Sequence, residues 1–413
     1  MVPNSNRWWI AAMGTLLQMC LGSVYAWSYF QKPLVEAGGW RHTQVAWTFS
    51  LAIAFLGAAA AVGGLCLPRF GPRKLAILGS VLFGAGHLLA ALALWWRVLP
   101  LLWLGYGAIG GIGLGLGYVT PVATVAKWFP DRKGLVTGMV VMGFGFGALL
   151  MSKVIAPALD TLFQHQLPLV FAGAGVIVGG VGLAAAVFLR NPPEAAPGPT
   201  AATGPETGAR DLICSRQFVL MWLVFFCNIT AGIALIGFQS PLLQDLWAQA
   251  DPTRSPAALA SAGATLIAAS SVCNGLGRIL WGALSDRIGQ LIAFRVMLAT
   301  QIVAFAALMV TSDPWLFGVL VCYVLLCYGG GFGLMPAFIS NTYGPRLMPA
   351  LYGTILTAWS CAGIVGPQII AQLKDRTEVN LAVTAFGLCV VLLALGLGLS
   401  LILQRPSSGV RAV

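Results

Sequence analysis

Apolar runs of about 20 residues recur from one end of this 413-residue chain to the other, and each can cross a hydrocarbon core about 30 Å thick as a helix. Within lipid, every backbone N–H and C=O must find its partner inside the protein, which a helix achieves within a single segment. The composition agrees. With 58% hydrophobic and only 8% charged residues, the chain carries about a third of the charge usual for a soluble domain and could not clothe a surface in water. The expected fold is an all-α polytopic membrane protein.

Turn residues and charges punctuate the runs into spans near 8–30, 44–67, 75–96, 99–125, 134–157 and 167–189, then 217–243, 258–283, 291–311, 315–340, 349–372 and 380–403. The spacing predicts twelve transmembrane helices in two pseudo-symmetric six-helix bundles, 1–190 and 217–413. Between them, 191–216 opens with Asn191-Pro192-Pro193-Glu194 and continues in Pro, Gly, Ala and Thr, a composition that cannot bury a core and reads as a linker. The halves repeat one another in parallel. Leu67-Pro68-Arg69-Phe70-Gly71-Pro72-Arg73-Lys74 follows the second span and Leu284-Ser285-Asp286-Arg287-Ile288-Gly289-Gln290 follows the eighth, while Gly113 to Pro121 in the fourth span parallels Gly329 to Pro336 in the tenth. Such repeats build a substrate path at the interface between halves.

Alternate loops differ in charge. Arg7, Arg69, Arg73, Lys74, Lys127, Arg132, Lys133, Arg190, Arg210, Arg216, Arg287, Arg295, Arg346, Arg405 and Arg411 fall on one side; Lys32, Arg41, Arg97, Arg254, Lys374 and Arg376 fall on the other. The positive-inside rule then places both termini and the linker in the cytoplasm, and a bacterial-type inner membrane is expected. Topology therefore accounts for the net charge of +11 better than nucleic-acid binding would. Trp8 to Phe30 reads as the first span and not as a cleaved leader, because it is of full membrane length. The Trp residues near span ends, such as Trp8, Trp9, Trp95, Trp96 and Trp315, read as interfacial anchors.

The nine cysteines form no CxxC pair and no Cys/His ligand spacing, so neither a metal site nor a disulfide framework is expected. Paired acids, or a nucleophile with its base, are likewise not found within the spans, and an enzyme is not expected. No cofactor is implied. Gly107, Gly110, Gly111, Gly113, Gly115 and Gly117, then Gly143, Gly145 and Gly147, let helices approach closely; the soluble strand that a nucleotide-binding loop needs is missing.

Arg278 is the informative charge. It stands on the eighth span about two turns before the basic loop, among Leu276, Ile279, Leu280 and Trp281, too deep to snorkel. An intramembrane cation needs a partner or a watery cavity, and no Asp or Glu lies at similar depth in any span. Backbone carbonyls or Asn274, one turn away on the same face, would satisfy it structurally. Alternatively its counter-ion is the substrate, since a guanidinium offers a fork matched to a carboxylate. Tyr118, Tyr328, Phe332, Trp359 and Trp27 are aromatic candidates for lining the same site or for plain packing. Lys153 reads as a snorkelling cation, and His87 as a packed side chain or a proton relay.

The architecture and loop pattern resemble the major facilitator superfamily over the whole chain, from about Arg7 to Gln404. Within it, Gly22-Ser23-Val24-Tyr25-Ala26-Trp27-Ser28 and Lys127-Trp128-Phe129-Pro130-Asp131-Arg132-Lys133-Gly134-Leu135 resemble the oxalate:formate antiporter family, which is similar in turn to monocarboxylate transporters, bacterial L-lactate transporters among them. The superfamily's loop signature is intact in Gly282 to Gly289, whereas Pro68 occupies the place of its usual Asp in the first half. The resemblance implies that Arg278 binds the substrate carboxylate and that Tyr118, Tyr328 and Phe332 line its cavity; Asn274, able to orient the guanidinium or donate to a substrate hydroxyl, and Trp27 are site candidates from the residues themselves. Oxalate exchangers use a second cation on the eleventh helix, where Leu356-Thr357-Ala358-Trp359-Ser360-Cys361 offers Trp359, with Cys361 beside it. One cation suits one carboxylate. The expected activity is therefore secondary transport of a small monocarboxylate, such as L-lactate, pyruvate or formate, by alternating access in a monomer. Proton-coupled symport is the first expectation and anion exchange the alternative. Monocarboxylate transporters commonly carry an acid where Asn274 stands, so the proton is expected to enter with the substrate or on His87.

Overall fold

The computed structural model describes residues 7–129, 133–192, 212–344, 347–375 and 381–403. Most of the 191–216 linker lies outside them, as do Arg132, Arg210, Arg346, Arg376, Arg405, Arg411 and the side chains of Pro68 and Lys133.

Among the described residues, twelve helices are long and apolar enough to cross a membrane: α1 (Arg7–Gly38), α2 (His42–Leu67), α3 (Pro72–Trp96), α4 (Leu99–Trp128), α5 (Val136–Leu162), α6 (Leu167–Ala186), α7 (Arg216–Ala250), α8 (Pro256–Ile288), α9 (Gln290–Val310), α10 (Pro314–Tyr343), α11 (Ala350–Lys374) and α12 (Ala382–Ile402). Several run past the apolar segments that define them in sequence. α1 continues through Gln31 and Lys32 and stops where Gly39 turns left-handed at φ 65°. Hydrophobicity fixes what lies in lipid, but a backbone cap fixes where a helix ends. The repeated loops share such a cap: Gly71 and Gly289, with φ of 75° and 87°, donate their N–H to Leu67 and Ser285 at 3.0 and 2.8 Å. A residue with a Cβ would be strained at either position.

The helices pair in a pattern that repeats six spans on. α1 packs on α5 and α6, α2 on α4, and α3 on α4 and α6; correspondingly α7 packs on α11 and α12, α8 on α10, and α9 on α10 and α12. The two sets meet through α2 against α11 and α5 against α8, which are themselves a symmetric pair of contacts, with α1 against α7 between them. This is two pseudo-symmetric six-helix bundles facing each other.

Close approach across that seam depends on small residues. A Cβ built on Gly145 of α5 would lie 2.9 Å from the Cα of Gly275 on α8, so the two backbones touch. The outward faces are apolar, with Leu65, Val310, Val319 and Val303 each about two-thirds exposed or more toward what would be lipid. Trp95, Trp96 and Trp315 are exposed at helix ends, as interfacial anchors would be.

Candidate substrate site

α8 is amphipathic within the membrane, and its inward stripe carries the polar groups. Ser270, Asn274, Arg278 and Trp281, spaced four, four and three residues apart, are buried, whereas Leu276, Ile279, Leu280 and Leu284 are exposed. That spacing aims the Arg278 side chain at the seam between halves. Gly277 beside it faces α10 so tightly that a Cβ would lie 1.9 Å from the Leu326 carbonyl oxygen.

Arg278 is 2% exposed, and among the described residues neither Nε nor either terminal guanidinium nitrogen has a hydrogen-bond partner. Asn274, one turn away, does not supply one; its own Oδ1 lacks a donor. Burying an unpaired cation costs on the order of several kcal/mol. Two rings offset part of this: the guanidinium carbon lies 5.2 Å from the Phe332 centroid and 6.0 Å from that of Phe144, contacts worth about 1–2 kcal/mol when desolvated.

Those rings belong to an aromatic cage drawn from both halves. Trp359 of α11 sits 4.7 Å from Phe332, 5.4 Å from Tyr118 and 5.9 Å from Phe144, each edge-on. Tyr328 packs on Phe332 at 5.3 Å, and its hydroxyl is 2.7 Å from that of Tyr25 on α1. Tyr25 also stacks edge-on against Phe144 at 5.0 Å. Every ring here is essentially buried. Two polar groups on the cage, the Tyr118 hydroxyl and Trp359 Nε1, make no well-formed hydrogen bond among the described residues; the Tyr118 hydroxyl lies beside that of Tyr352, two turns before Trp359 on α11, and Trp359 beside Tyr328. The arrangement is one buried cation among closely packed aromatic rings that carry a few hydrogen-bonding groups.

Of the residues expected from sequence, Arg278, Tyr118, Tyr328, Phe332 and Trp359 come together, with Asn274 adjoining on α8. Trp27 does not join them: its indole donates to Gln31 at 2.8 Å and lies among Phe49 and Tyr106 in the first half. Cys361 is exposed, on a different face of α11 from buried Trp359. His87 lies between α3, α4 and α6, its Nδ1 3.0 Å from the Phe83 carbonyl and its ring against Phe83, Tyr106 and Phe171. None of those is a cage residue. Tyr25 and Phe144 are the members that sequence reading missed. Phe144 and Phe146 alternate with Gly143, Gly145 and Gly147; Gly143 and Gly147 face α1 and Gly145 faces α8, and that glycine-flanked position was the available signal for Phe144.

The chamber is bridged toward the end of the molecule opposite the N-terminus. Ser360 Oγ donates to the Ala54 carbonyl at 2.8 Å, Gln368 reaches Ser50 at 3.5 Å, and Lys153 donates to Thr265 at 2.7 Å, each bond crossing between halves. Lys153 thus has a partner on α8 besides any headgroup it reaches. Among the described residues, no group of three or more His, Cys, Asp or Glu is placed to hold a metal ion.

Comparison with known proteins agrees with this layout. The chain is similar to an oxalate:formate antiporter of Oxalobacter formigenes, 25% identical with 91% of this chain and 87% of that protein covered. It is also similar to an apicoplast pyruvate carrier of Toxoplasma gondii, 25% identical over 86% of this chain and 74% of that one. A crystal structure of a D-xylose-proton symporter superposes with a TM-score of 0.73 over 98% of this chain and 99% of the other; at 14% identity the likeness is one of fold. The family model of the Major Facilitator Superfamily matches residues 8–367. With its twelve spans in two facing bundles, this chain is a membrane transporter belonging to the Major Facilitator Superfamily.

Proposed function

We propose that this protein carries small monocarboxylates, such as L-lactate or pyruvate, across a bacterial inner membrane, with both termini cytoplasmic. The observation that carries the proposal is the buried Arg278 guanidinium, which has no hydrogen-bond partner among the described residues and faces the aromatic cage. A carboxylate takes two parallel hydrogen bonds from such a fork and neutralises it. Tyr118 and Trp359 would donate to the same anion or to a neighbouring oxygen, and Phe144 and Phe332 would wall a short carbon tail. Among the described residues the cage meets one cation, Arg278, so a second carboxylate would be desolvated without compensation, which disfavours oxalate. The relatives named for oxalate, formate and pyruvate support the substrate class at the level of small carboxylic acids.

Without substrate, Arg278 opposes tight closure; with the carboxylate paired, the two bundles close over a neutral site and reopen on the other face. A proton entering with the substrate is the proposed coupling, because His87 is packed away from the cage. Exchange of two anions is the second reading, favoured by the oxalate:formate relative. Uptake of labelled L-lactate into proteoliposomes separates them. Accumulation driven by an inward proton gradient supports symport, a requirement for internal anion supports exchange, and no uptake of lactate, pyruvate or formate under either condition overturns the proposal.

A further inference from the structure

The N-terminus of α2 is capped from the other half of the molecule. Its N-cap residue is Arg41, whose side chain has no acceptor, so it cannot satisfy the amides of the first turn as Ser, Asp or Asn would. Asp375, the residue that follows α11, does so instead. Its Oδ1 accepts from the His42 N–H at 3.1 Å, and its Oδ2 accepts from the Thr43 N–H at 3.0 Å and the Thr43 hydroxyl at 2.6 Å. A carboxylate with three donors at the positive end of a helix dipole is a strong, directional contact. It lies at the end opposite the N-terminus, beyond the Ser50 to Gln368 bridge that roofs the cage.

Among the described residues, the adjacent lysine does not compete for that carboxylate. Lys374, the adjacent residue, is paired with Asp245 of α7 in its own half. Thus two consecutive residues have separate partners: Lys374 ties α11 to α7 within one bundle, and Asp375 ties α11 to α2 across the seam. A transporter that alternates its access must part α2 from α11 at one end on each cycle, and every bond that Asp375 makes there would have to break.

We propose that Asp375 is the latch of the gate at this end of the protein, holding it shut by capping α2 and releasing it when the bundles rock apart. All three of its bonds run between the bundles, so neither bundle holds any of them by itself. This role is independent of which substrate the cage accepts.

The test places a cysteine at Ser50, buried between latch and cage, and follows its labelling by a membrane-impermeant thiol reagent added to the Asp375 face of sealed, substrate-free vesicles; the same chain with Ser50 retained gives the background of native cysteines. Asp375→Asn and Asp375→Ala should label roughly tenfold faster than the parent, the shift expected for losing charge-assisted hydrogen bonds from one of two states. Asp245→Asn, which removes an equal charge next door but no bond across the seam, should label at the parental rate. Adding Thr43→Val to Asp375→Ala should change nothing further. Unchanged labelling in folded Asp375→Ala overturns the proposal, and so does equal acceleration by Asp245→Asn, which would mark a general loosening of that end.

Discussion

The hydroxyls of Tyr25 on α1 and Tyr328 on α10 lie 2.7 Å apart, joining two residues 303 positions distant in sequence across the seam between the bundles. The bond joins rings that pack on Phe144 and Phe332 and is itself buried. Tyr25→Phe leaves Tyr328 without that partner in a dry site and should lower stability in detergent by about 1–2 kcal/mol. Tyr328→Phe should cost a similar amount, and the double variant little more than either single one. Thermal unfolding of the four proteins measures the coupling; strict additivity would mean that the bond contributes nothing.

Gly277 tests whether Arg278 is positioned by the α8 to α10 contact. A Cβ at 1.9 Å from the Leu326 carbonyl cannot be accommodated without moving one helix. Gly277→Ala should therefore destabilise the protein by about 2–3 kcal/mol, and substrate binding should weaken as Arg278 shifts with its backbone. Equal stability to the parent would show that α10 yields easily.

His87 is walled by Phe83, Tyr106 and Phe171, none of which belongs to the cage. Its replacement by Gln should leave the response of uptake to a proton gradient unchanged. Loss of the gradient response with transport retained would return His87 to the proton path.

Acid should act on the latch. Burial alone would raise the Asp375 carboxyl, but hydrogen bonds from the Thr43 hydroxyl and amide and from the His42 amide outweigh it and hold the group below the usual carboxylate range. Gate closure is therefore favoured by the ionised form: its contribution is present above the pKa of the released carboxyl, about 4, and is lost as pH falls through the lower value of the latched state. Spin labels on the facing tips of α5 and α8 at that end should move apart as the pH is lowered past about 4, and Asp375→Asn should abolish the dependence.

What could be read from the sequence follows from what lipid enforces locally. Span number, the repeat and the inward aim of Arg278 were legible because a bilayer punishes every misplaced charge and unpaired backbone group. Cage membership was only partly so. Trp27 and Tyr25 are two residues apart on α1, where a 3-10 turn spans Ser23–Ala26, and nothing in the sequence says which ring faces the other bundle. Aromatic side chains are equally at home packed within one half, as Trp27 is, or at the seam, as Tyr25 is. The Asp375 cap was invisible for the same reason: its partners are more than 330 positions away, and an acid at a helix end looks like ordinary surface charge.

The central claim is that Arg278 binds the substrate carboxylate, and equilibrium binding of L-lactate to purified protein measures it most directly. Calorimetric titration of the wild type should give saturable binding, Arg278→Lys should bind at least tenfold more weakly because a point charge cannot reproduce the bidentate fork, and folded Arg278→Ala should not bind. Lactate binding by Arg278→Ala with the affinity of the wild type would contradict the account.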